Sequence, residues 1–313
     1  MIIALAGGVG GARLAHGLAQ CLPPEELVVV VNTADDFVHL GLHVSPDPDT
    51  VMYTLGGLAD EARGWGQKGE TWNFMAGLAK LGGQSWFQLG DRDLATHVER
   101  SRRLAAGESI SEVTDGFAKA LGIAHAIVPM SDDPVRTHMR TDAGVLPFQD
   151  YFVRLRCEPK VEGVEFAGIE CAAASAAFAA AMRSPALEGI VICPSNPFVS
   201  VAPILALSGV RDWLAARKVP AIAVSPIIGG NAVKGPAAKM MAELGMTPGA
   251  TAIAAHYAGL IDGFVIDRAD AHAFDGQAHP RLHATDALMR DVADRARLAR
   301  ECLGFLATLR TAA

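Results

Sequence analysis

The first 31 residues constrain the fold most. Met1 to Ala6 is an apolar run that stops at Gly7-Gly8-Val9-Gly10-Gly11. Ala12 to Cys21 then carries apolar residues at helical spacing, and Leu27 to Val31 is an unbroken, valine-rich run. Continuous apolar strands of this kind belong to parallel sheets covered on both faces. Strand, glycine turn, helix and strand within roughly 30 residues make a βαβ unit. Runs at Ile190–Cys193 and Ala221–Val224 each end in a Pro/Ser/Gly-rich loop and extend the same α/β pattern. Loops of this kind, at the carboxyl ends of parallel strands, are where such sheets hold ligands.

Between these pieces the texture changes. From Thr50 to about Leu121 the spacing predicts helices over Thr50–Leu58, Trp72–Leu81, Leu94–Ala106 and Ser111–Leu121, a helical insertion (about 50–121) over the sheet edge. Arg136–Arg140, the turn Thr141–Gly144 and Val145–Arg156 read as a β-hairpin, because Tyr151, Val153 and Leu155 alternate with Phe152, Arg154 and Arg156. Thr285–Leu309 is amphipathic and is expected to close the fold as a helix. With no repeat and no low-complexity linker, residues 1–313 are expected to form a single domain.

Half of the chain is hydrophobic and 19% is charged, enough apolar content to bury a sizeable core. The net charge of −7 argues against a nucleic-acid surface, so an anionic ligand must be held by a local site. No apolar run has the length of a membrane span; Cys171–Met182 reads as a packed helix, and the apolar start reads as a first strand and not as a signal peptide. The five cysteines are far apart and form no Cys-x-x-Cys pair, which points to a reducing cytoplasm.

The opening turn is not a P-loop, since no Gly-Lys-Ser/Thr follows it. It also fails the dinucleotide fingerprint, because Arg13 stands where a third glycine belongs. What remains is a strand–turn–helix whose free N–H groups and positive helix end suit a phosphate, with Arg13 placed to add a guanidinium. A tight turn without a ligand is the plainer alternative. Asn32-Thr33-Ala34-Asp35-Asp36 follows the second strand, where polar groups meet a ribose, a phosphate or a metal, or simply cap a turn. Ser45-Pro46-Asp47-Pro48-Asp49-Thr50 puts two carboxylates near a helix start; hard oxygens suit magnesium, and Asp49 also suits an N-cap. In Leu89–Leu94, Asp91 or Asp93 capping a helix with Arg92 paired to them is the simpler reading. Pro194-Ser195-Asn196-Pro197 holds a Ser-Asn pair rigidly beyond a buried strand, which favours a nucleotide or phosphate contact. Ser225–Pro236 is a second strand–glycine loop–helix, with Lys234 as phosphate counter-charge or as a solvated lysine. There is no Gly-x-Ser-x-Gly elbow and no His-Glu-x-x-His. His39 and His43 straddle Gly41, a poor zinc helix, and His97 and His125 read as ordinary packed or surface histidines.

Taken in order, these runs resemble the 2-phospho-L-lactate transferase (CofD) family over nearly the whole chain. The matching runs include Gly7–Leu14, Asn32–Asp36, Ser45–Leu55, Gly64–Gly66, Trp86–His97, Pro194–Pro197, Ser225–Gly230 and Val233–Met241. Gly7–Arg13 looks like the bacterial branch, and Ala34 departs from a common glycine. The resemblance implies a Rossmann-like three-layer core with a helical insertion. It implies a donor in which GMP is joined through a diphosphate to a small organic acid, an acceptor, the deazaflavin Fo, with a free ribityl hydroxyl, and magnesium. Asp49 falls on the family's Fo-binding aspartate and Arg92 on its basic acceptor-site residue. Asp49 would orient the hydroxyl, accept its proton or hold the metal, with Asp36 the other metal candidate. Gly8, Gly10, Gly11, Arg13, Asn32, Ser195, Asn196 and Lys234 would hold the nucleotide and its diphosphate. A homodimer is a family-level expectation. The acid (phospholactate, phosphoenolpyruvate or 3-phosphoglycerate) stays open.

Two rivals fare less well. A non-catalytic nucleotide-sugar-binding regulator of a related branch would carry a Gly/Ser-rich stretch where this chain has Phe37–Thr50, and would lack Asp47-Pro48-Asp49-Thr50. A nicotinamide dehydrogenase would need the intact fingerprint and an acidic residue about 20 positions later.

Overall fold

Seven short apolar segments build the central sheet: β1 (Ile2–Ala6), β2 (Leu27–Val31), β3 (Ala126–Pro129), β4 (Gly189–Ile192), β5 (Ala221–Val224), β6 (Gly263–Asp267) and β7 (Arg281–Thr285). The computed structural model describes residues 1–233, 235–276 and 280–310. Every pairing in the sheet is parallel, with Ile2 opposite Leu27 on one side of β1 and opposite Gly189 on the other. The strand order is β3-β2-β1-β4-β5-β6-β7. The chain therefore runs outward from β1 in one direction, returns, and runs outward in the other. That reversal places the topological switch point between β1 and β4, at whose carboxyl ends open α/β sheets take their ligands.

Alternate residues of each strand enter two separate cores. Ile2, Ala4, Ala6, Val29 and Val31 pack with Leu14 and Leu18 of helix α1 (Gly8–Ala19) and with Leu298 and Leu306 of the C-terminal helix Val292–Arg310. Ile3, Leu5 and Val30 pack on the other face with Phe178, Ile204, Leu214 and Ile253. These two helix layers around one sheet give the three-layer α/β architecture that the sequence leads one to expect, and each fully buried Leu, Ile or Phe adds about 1.5–3 kcal/mol. Gly17 lets α1 approach the C-terminal helix: a Cβ there would stand 2.1 Å from the Arg295 carbonyl oxygen.

The insertion comprises α2 (Pro46–Leu55), α3 (Asn73–Lys80), α4 (Asp91–Ala105) and α5 (Ile110–Ala120). All four helices lie where periodicity places them, but α2 begins four residues earlier than the expected Thr50. Pro46 and Pro48 occupy the first helical turn, whose N–H groups have no intrahelical acceptor, so proline is tolerated there. Asp49 is thus inside the first turn and not its N-cap. The caps near α4 also differ from expectation. Asp91 accepts from the backbone N–H groups of Asn73 (3.1 Å) and Phe74 (3.0 Å), capping α3, while Glu70 accepts from the N–H groups of Arg92 (2.7 Å) and Asp93 (2.9 Å), capping α4.

The expected hairpin is real but shorter. Arg136–Thr141 pairs antiparallel with Gly144–Pro147, and a third strand, Val161–Ala167, flanks the first. Asp150–Arg154 is one wide helical turn instead of strand. Its alternation misleads because Tyr151 enters the core while Phe152 and Val153 both face a cavity. Phe37–His39 and Leu42–Val44 form a further small hairpin. The helix expected from Thr285 begins only at Val292 and runs to Arg310, Thr285 itself being the last residue of β7. No helix among the described residues is long and apolar enough to cross a membrane.

Candidate active site

A cleft of about 670 Å³ opens at the switch point. Its walls come from the turns after β1, β4 and β5, from the first turns of α2 and α4, and from the aromatic segments around Trp86 and Phe148. Of the residues singled out in the sequence, Gly8, Gly10, Arg13, Asp49, Ser195 and Asn196 line this one space, although Asp49 and Ser195 are 146 positions apart. Gly11 lies behind the wall, where a Cβ would meet Ser195 Oγ at 2.4 Å. Asn32 is fully buried beneath it. Lys234 lies outside the described residues. Arg92 is not on the wall: its guanidinium donates to the Lys68 carbonyl at 3.0 Å and packs against Gly69.

At the glycine turn the chain folds as the close approaches demand. Gly8 has φ of +62°, and a Cβ on Gly10 would stand 2.2 Å from the Pro194 carbonyl oxygen. The first two donors of the turn are already used. The Gly7 N–H donates to Ser195 Oγ at 3.0 Å and the Gly8 N–H to Asp47 Oδ1 at 2.8 Å. Asn32 Nδ2 donates to Asp47 Oδ2 at 3.0 Å and to the Val199 carbonyl at 3.3 Å, while its own Oδ1 accepts from the Ala34 N–H at 2.9 Å. Asn32 is therefore a positioning group, not a wall. Burial pushes the Asp47 carboxyl up to about 6, against the Asn32 and Gly8 hydrogen bonds that favour its charge. Arg13 donates to the Met289 carbonyl at 3.1 Å and is the cation nearest along the chain to this turn.

Asp47 is part of an acidic group. Asp35, also on the wall, is buried and raised well above the usual carboxylate range, first by desolvation and then by the Asp47 charge. Its Oδ1 has no hydrogen-bond partner, nor has Oδ1 of Asp36. Asp36 Oδ2 accepts from Ser45 Oγ at 2.8 Å and faces His43 Nε2 at 3.0 Å, behind the cleft. Buried hard oxygens without counter-charge suit a divalent cation, and they stand next to the turn where a phosphate would lie. Asp49 fits a metal less well, because the Arg100 guanidinium already supplies its counter-charge, whereas the oxygens of Asp47 meet only uncharged N–H groups.

The partner of Asp49 is Arg100, a residue that sequence reasoning missed. Arg100 is 2% exposed; its Nη1 donates to Asp49 Oδ2 at 3.1 Å and its Nη2 to Asp49 Oδ1. Nη1 also lies 3.2 Å from His97 Nδ1. A guanidinium has no acceptor, so Nδ1 must accept and the His97 proton sits on Nε2, which faces Asp93 Oδ2 at 3.3 Å. Tyr53 donates to Asp93 Oδ1 at 2.7 Å. Burial raises the Asp49 carboxyl, and the charge of Arg100 only partly offsets it. Burial also works against Arg100, and the Asp49 charge and hydrogen bonds, together with Tyr53 and Asp36, outweigh it and hold the guanidinium cationic. At Asp93 the balance falls the other way: His97, Tyr53 and Arg100 overcome desolvation and hold it below the usual range. The ligand atoms of Asp49, Asp93 and His97 lie within 4.8 Å of one another, yet Arg100 and Tyr53 already serve them. The available signal was the spacing of Asp93, His97 and Arg100 at i, i+4 and i+7, which puts all three on one face of α4.

Beyond Asp49 the cleft is aromatic. Trp86, Phe87, Phe148 and Phe152 line it. Phe148 and Phe152 stack at 5.4 Å and 5°, and Phe37 meets Phe87 edge-on at 4.9 Å. Such a wall accepts a flat conjugated ring. One cleft thus holds the glycine turn, the buried carboxylates Asp35, Asp47 and Asp49, and an aromatic wall.

Residues 2–300 match the family model of 2-phospho-L-lactate transferase CofD. The chain is 42% identical over 318 residues to a phosphoenolpyruvate transferase of Kitasatospora aureofaciens, covering 99% of this chain and 98% of that one. It is 41% identical over 277 residues to a 2-phospho-L-lactate transferase of Methanosarcina mazei, covering 88% and 90%. The crystal structure of a UPF0052 family protein from Bacillus halodurans superposes with a TM-score of 0.62 at 14% identity, covering 96% of this chain and 98% of that one, which shows a shared fold. On the match along almost its whole length, the chain belongs to the 2-phospho-L-lactate transferase (CofD) family of transferases.

Proposed function

We propose that the protein transfers a small phospho-organic-acid group from a GMP-diphosphate donor to the terminal ribityl hydroxyl of the deazaflavin Fo, releasing GMP, as a step of coenzyme F-420 biosynthesis in the cytoplasm. The observation that carries this reading is the single cleft in which a glycine turn, a Ser-Asn loop and an aromatic chamber meet around a buried, Arg100-held carboxylate. The guanosine lies over the loops after β4 and β5, with Ser195 and Asn196 beneath it. The diphosphate lies along Gly8, Gly10 and Arg13, and the deazaflavin ring lies against Trp86, Phe87, Phe148 and Phe152.

Asp35 and Asp47 are the residues that would hold magnesium, with Asp36 behind them; bound there, the ion neutralises diphosphate charge. The chain's own groups do the rest. Asp49 receives the hydroxyl hydrogen bond and takes its proton as the hydroxyl oxygen attacks the distal phosphorus. The bond from that phosphorus to the bridging oxygen breaks, and GMP departs with the electron pair. Arg100 keeps Asp49 ionised and fixed in direction, while desolvation keeps it basic. Catalysis by positioning and charge neutralisation needs no nucleophile from the protein. Relatives named for phosphoenolpyruvate and for 2-phospho-L-lactate are 42% and 41% identical over 99% and 88% of the chain, so the reading covers phosphoenolpyruvate, phospholactate and 3-phosphoglycerate alike. Equilibrium titration with Mg²⁺, GDP and Fo tests it: each binds, and saturating GDP leaves Fo binding intact. Mutual exclusion of GDP and Fo would contradict adjoining subsites.

A further inference from the structure

Four carboxylates line the cleft, Asp35, Asp47, Asp49 and Asp93, but among the described residues only two lysine or arginine side chains do, Arg13 and Arg63. Arg13 belongs to the glycine turn. Arg63 stands elsewhere, on a loop closed by the bridge between Ala59 and Gln67 and by hydrogen bonds from the Asp60 N–H to the Gly66 carbonyl (3.1 Å) and from the Gly64 N–H to the Asp60 carbonyl (2.8 Å). Its guanidinium sits 5.3 Å from the Trp65 ring centroid and 4.7 Å from that of Trp72. Cation–π contacts of this kind hold the group by its face. At its edge only Nη1 meets a carboxylate, Asp60 Oδ2 at 3.5 Å, a long exposed pair that a ligand carboxylate can replace, while Asp60 Oδ1 accepts the Arg63 backbone N–H at 2.9 Å. The same loop borders Val9 of the glycine turn and Thr50 and Tyr53 of α2. It therefore closes over the seam between the diphosphate turn and the helix that carries Asp49.

Beyond the diphosphate, the one further negative charge of an acid-bearing donor is its carboxylate. We infer that Arg63 forms a carboxylate subsite, recognising the organic acid at the far end of the donor diphosphate through a planar, two-bond contact. The inference rests on the donor proposed above and assigns the part of it that guanosine diphosphate lacks. A planar fork matched to a carboxylate, presented by two indole faces, is also why arginine and not lysine serves here.

The test uses the full chain with Mg²⁺ and two ligands that differ only by the carboxylate: guanosine diphosphate esterified on its β-phosphate with 2-hydroxypropanoate, and the same diphosphate esterified with propan-2-ol. Calorimetric titration of wild type should favour the first on the order of 10- to 100-fold, as expected for one charge-assisted bidentate contact. Arg63→Gln should erase that preference while leaving the GDP affinity unchanged, and Arg63→Lys should restore a part of it. An undiminished preference in Arg63→Gln overturns the assignment. So does an equal loss for both esters and for GDP, which would mean that Arg63 supports the loop or the diphosphate. Equal binding of both esters by wild type overturns the carboxylate subsite alone. Binding of none of the three by wild type overturns the donor reading, and Arg63 with it.

Discussion

Replacing Arg100 with methionine is the sharpest probe of the carboxylate at the centre of the cleft. Methionine fills much of the volume and leaves Asp49 buried without the two hydrogen bonds it receives from the guanidinium. Removing one partner of a buried ion pair costs about 3–5 kcal/mol, because the remaining charge is uncompensated. An unfolding entropy of about 2.1 cal/mol/K per residue over 313 residues turns this into a fall in Tm of about 5–8 °C. The pH dependence separates this mechanism from a packing defect. Asp49 already titrates above its ordinary 3.8 in the folded protein, so its cost is absent in acid, accrues as pH rises from 3.8 to the folded value and is constant above it. Without Arg100 the folded value moves higher still, since His97, Asp93 and Tyr53 are the groups left facing it and only His97 brings any relief. The gap in Tm between wild type and Arg100→Met should therefore be small near pH 5 and widen toward pH 8, as read by thermal melts across that range. A gap of the same size at both ends, or none, would refute the ion-pair account.

Other outcomes follow from the same geometry. Asp49→Asn should lower kcat by at least 100-fold in a GMP-release assay, a general-base loss, with GDP affinity unchanged. Asp47 is pushed up to about 6 by burial, so protonation below that value should weaken magnesium. The Mg²⁺ concentration for half-maximal turnover should rise by up to about tenfold per pH unit below about 6, and chelation should abolish turnover. Arg92→Ala should change Fo affinity less than about twofold by fluorescence titration, because Arg92 packs on Lys68 and Gly69 outside the cleft; even a weak side-chain hydrogen bond to the acceptor would exceed that. Gly10→Ala should abolish GDP binding, because a methyl group would collide with the Pro194 carbonyl and push the two donor loops apart.

What was legible in the sequence follows from how local each signal is. β1, the glycine turn, α1 and β2 declare themselves because apolar runs and glycine turns act over a few residues, and the four insertion helices because their periodicity spans two to four turns. β3, β6 and β7 are no shorter than the legible strands, but β3 and β7 are the sheet edges, and in β7 Arg281, His283 and Thr285 break the apolar run. Asp47 looked like a neighbour of Asp49, yet its role comes from Gly8 and Asn32, 39 and 15 positions away. Arg100 reaches Asp49 across 51 positions, and only the helical spacing of α4 hinted at it. The resemblance places Arg92 in the acceptor site, while its spacing suggests pairing with the flanking aspartates; those aspartates face away from it, Asp91 toward α3 and Asp93 toward His97 and Tyr53. Side-chain direction, not proximity along the chain, decides which charge enters the cleft.

The proposed function puts a guanosine donor and a deazaflavin acceptor in one cleft. Its most direct test is turnover of purified protein with Mg²⁺, Fo and GMP-diphospho donors carrying phospholactate, phosphoenolpyruvate or 3-phosphoglycerate, read by chromatography of GMP and mass spectrometry of the deazaflavin. One GMP should be released for each deazaflavin phosphodiester formed, with at least one of the three acids. No GMP and no phosphodiester with any of them would contradict the proposed function.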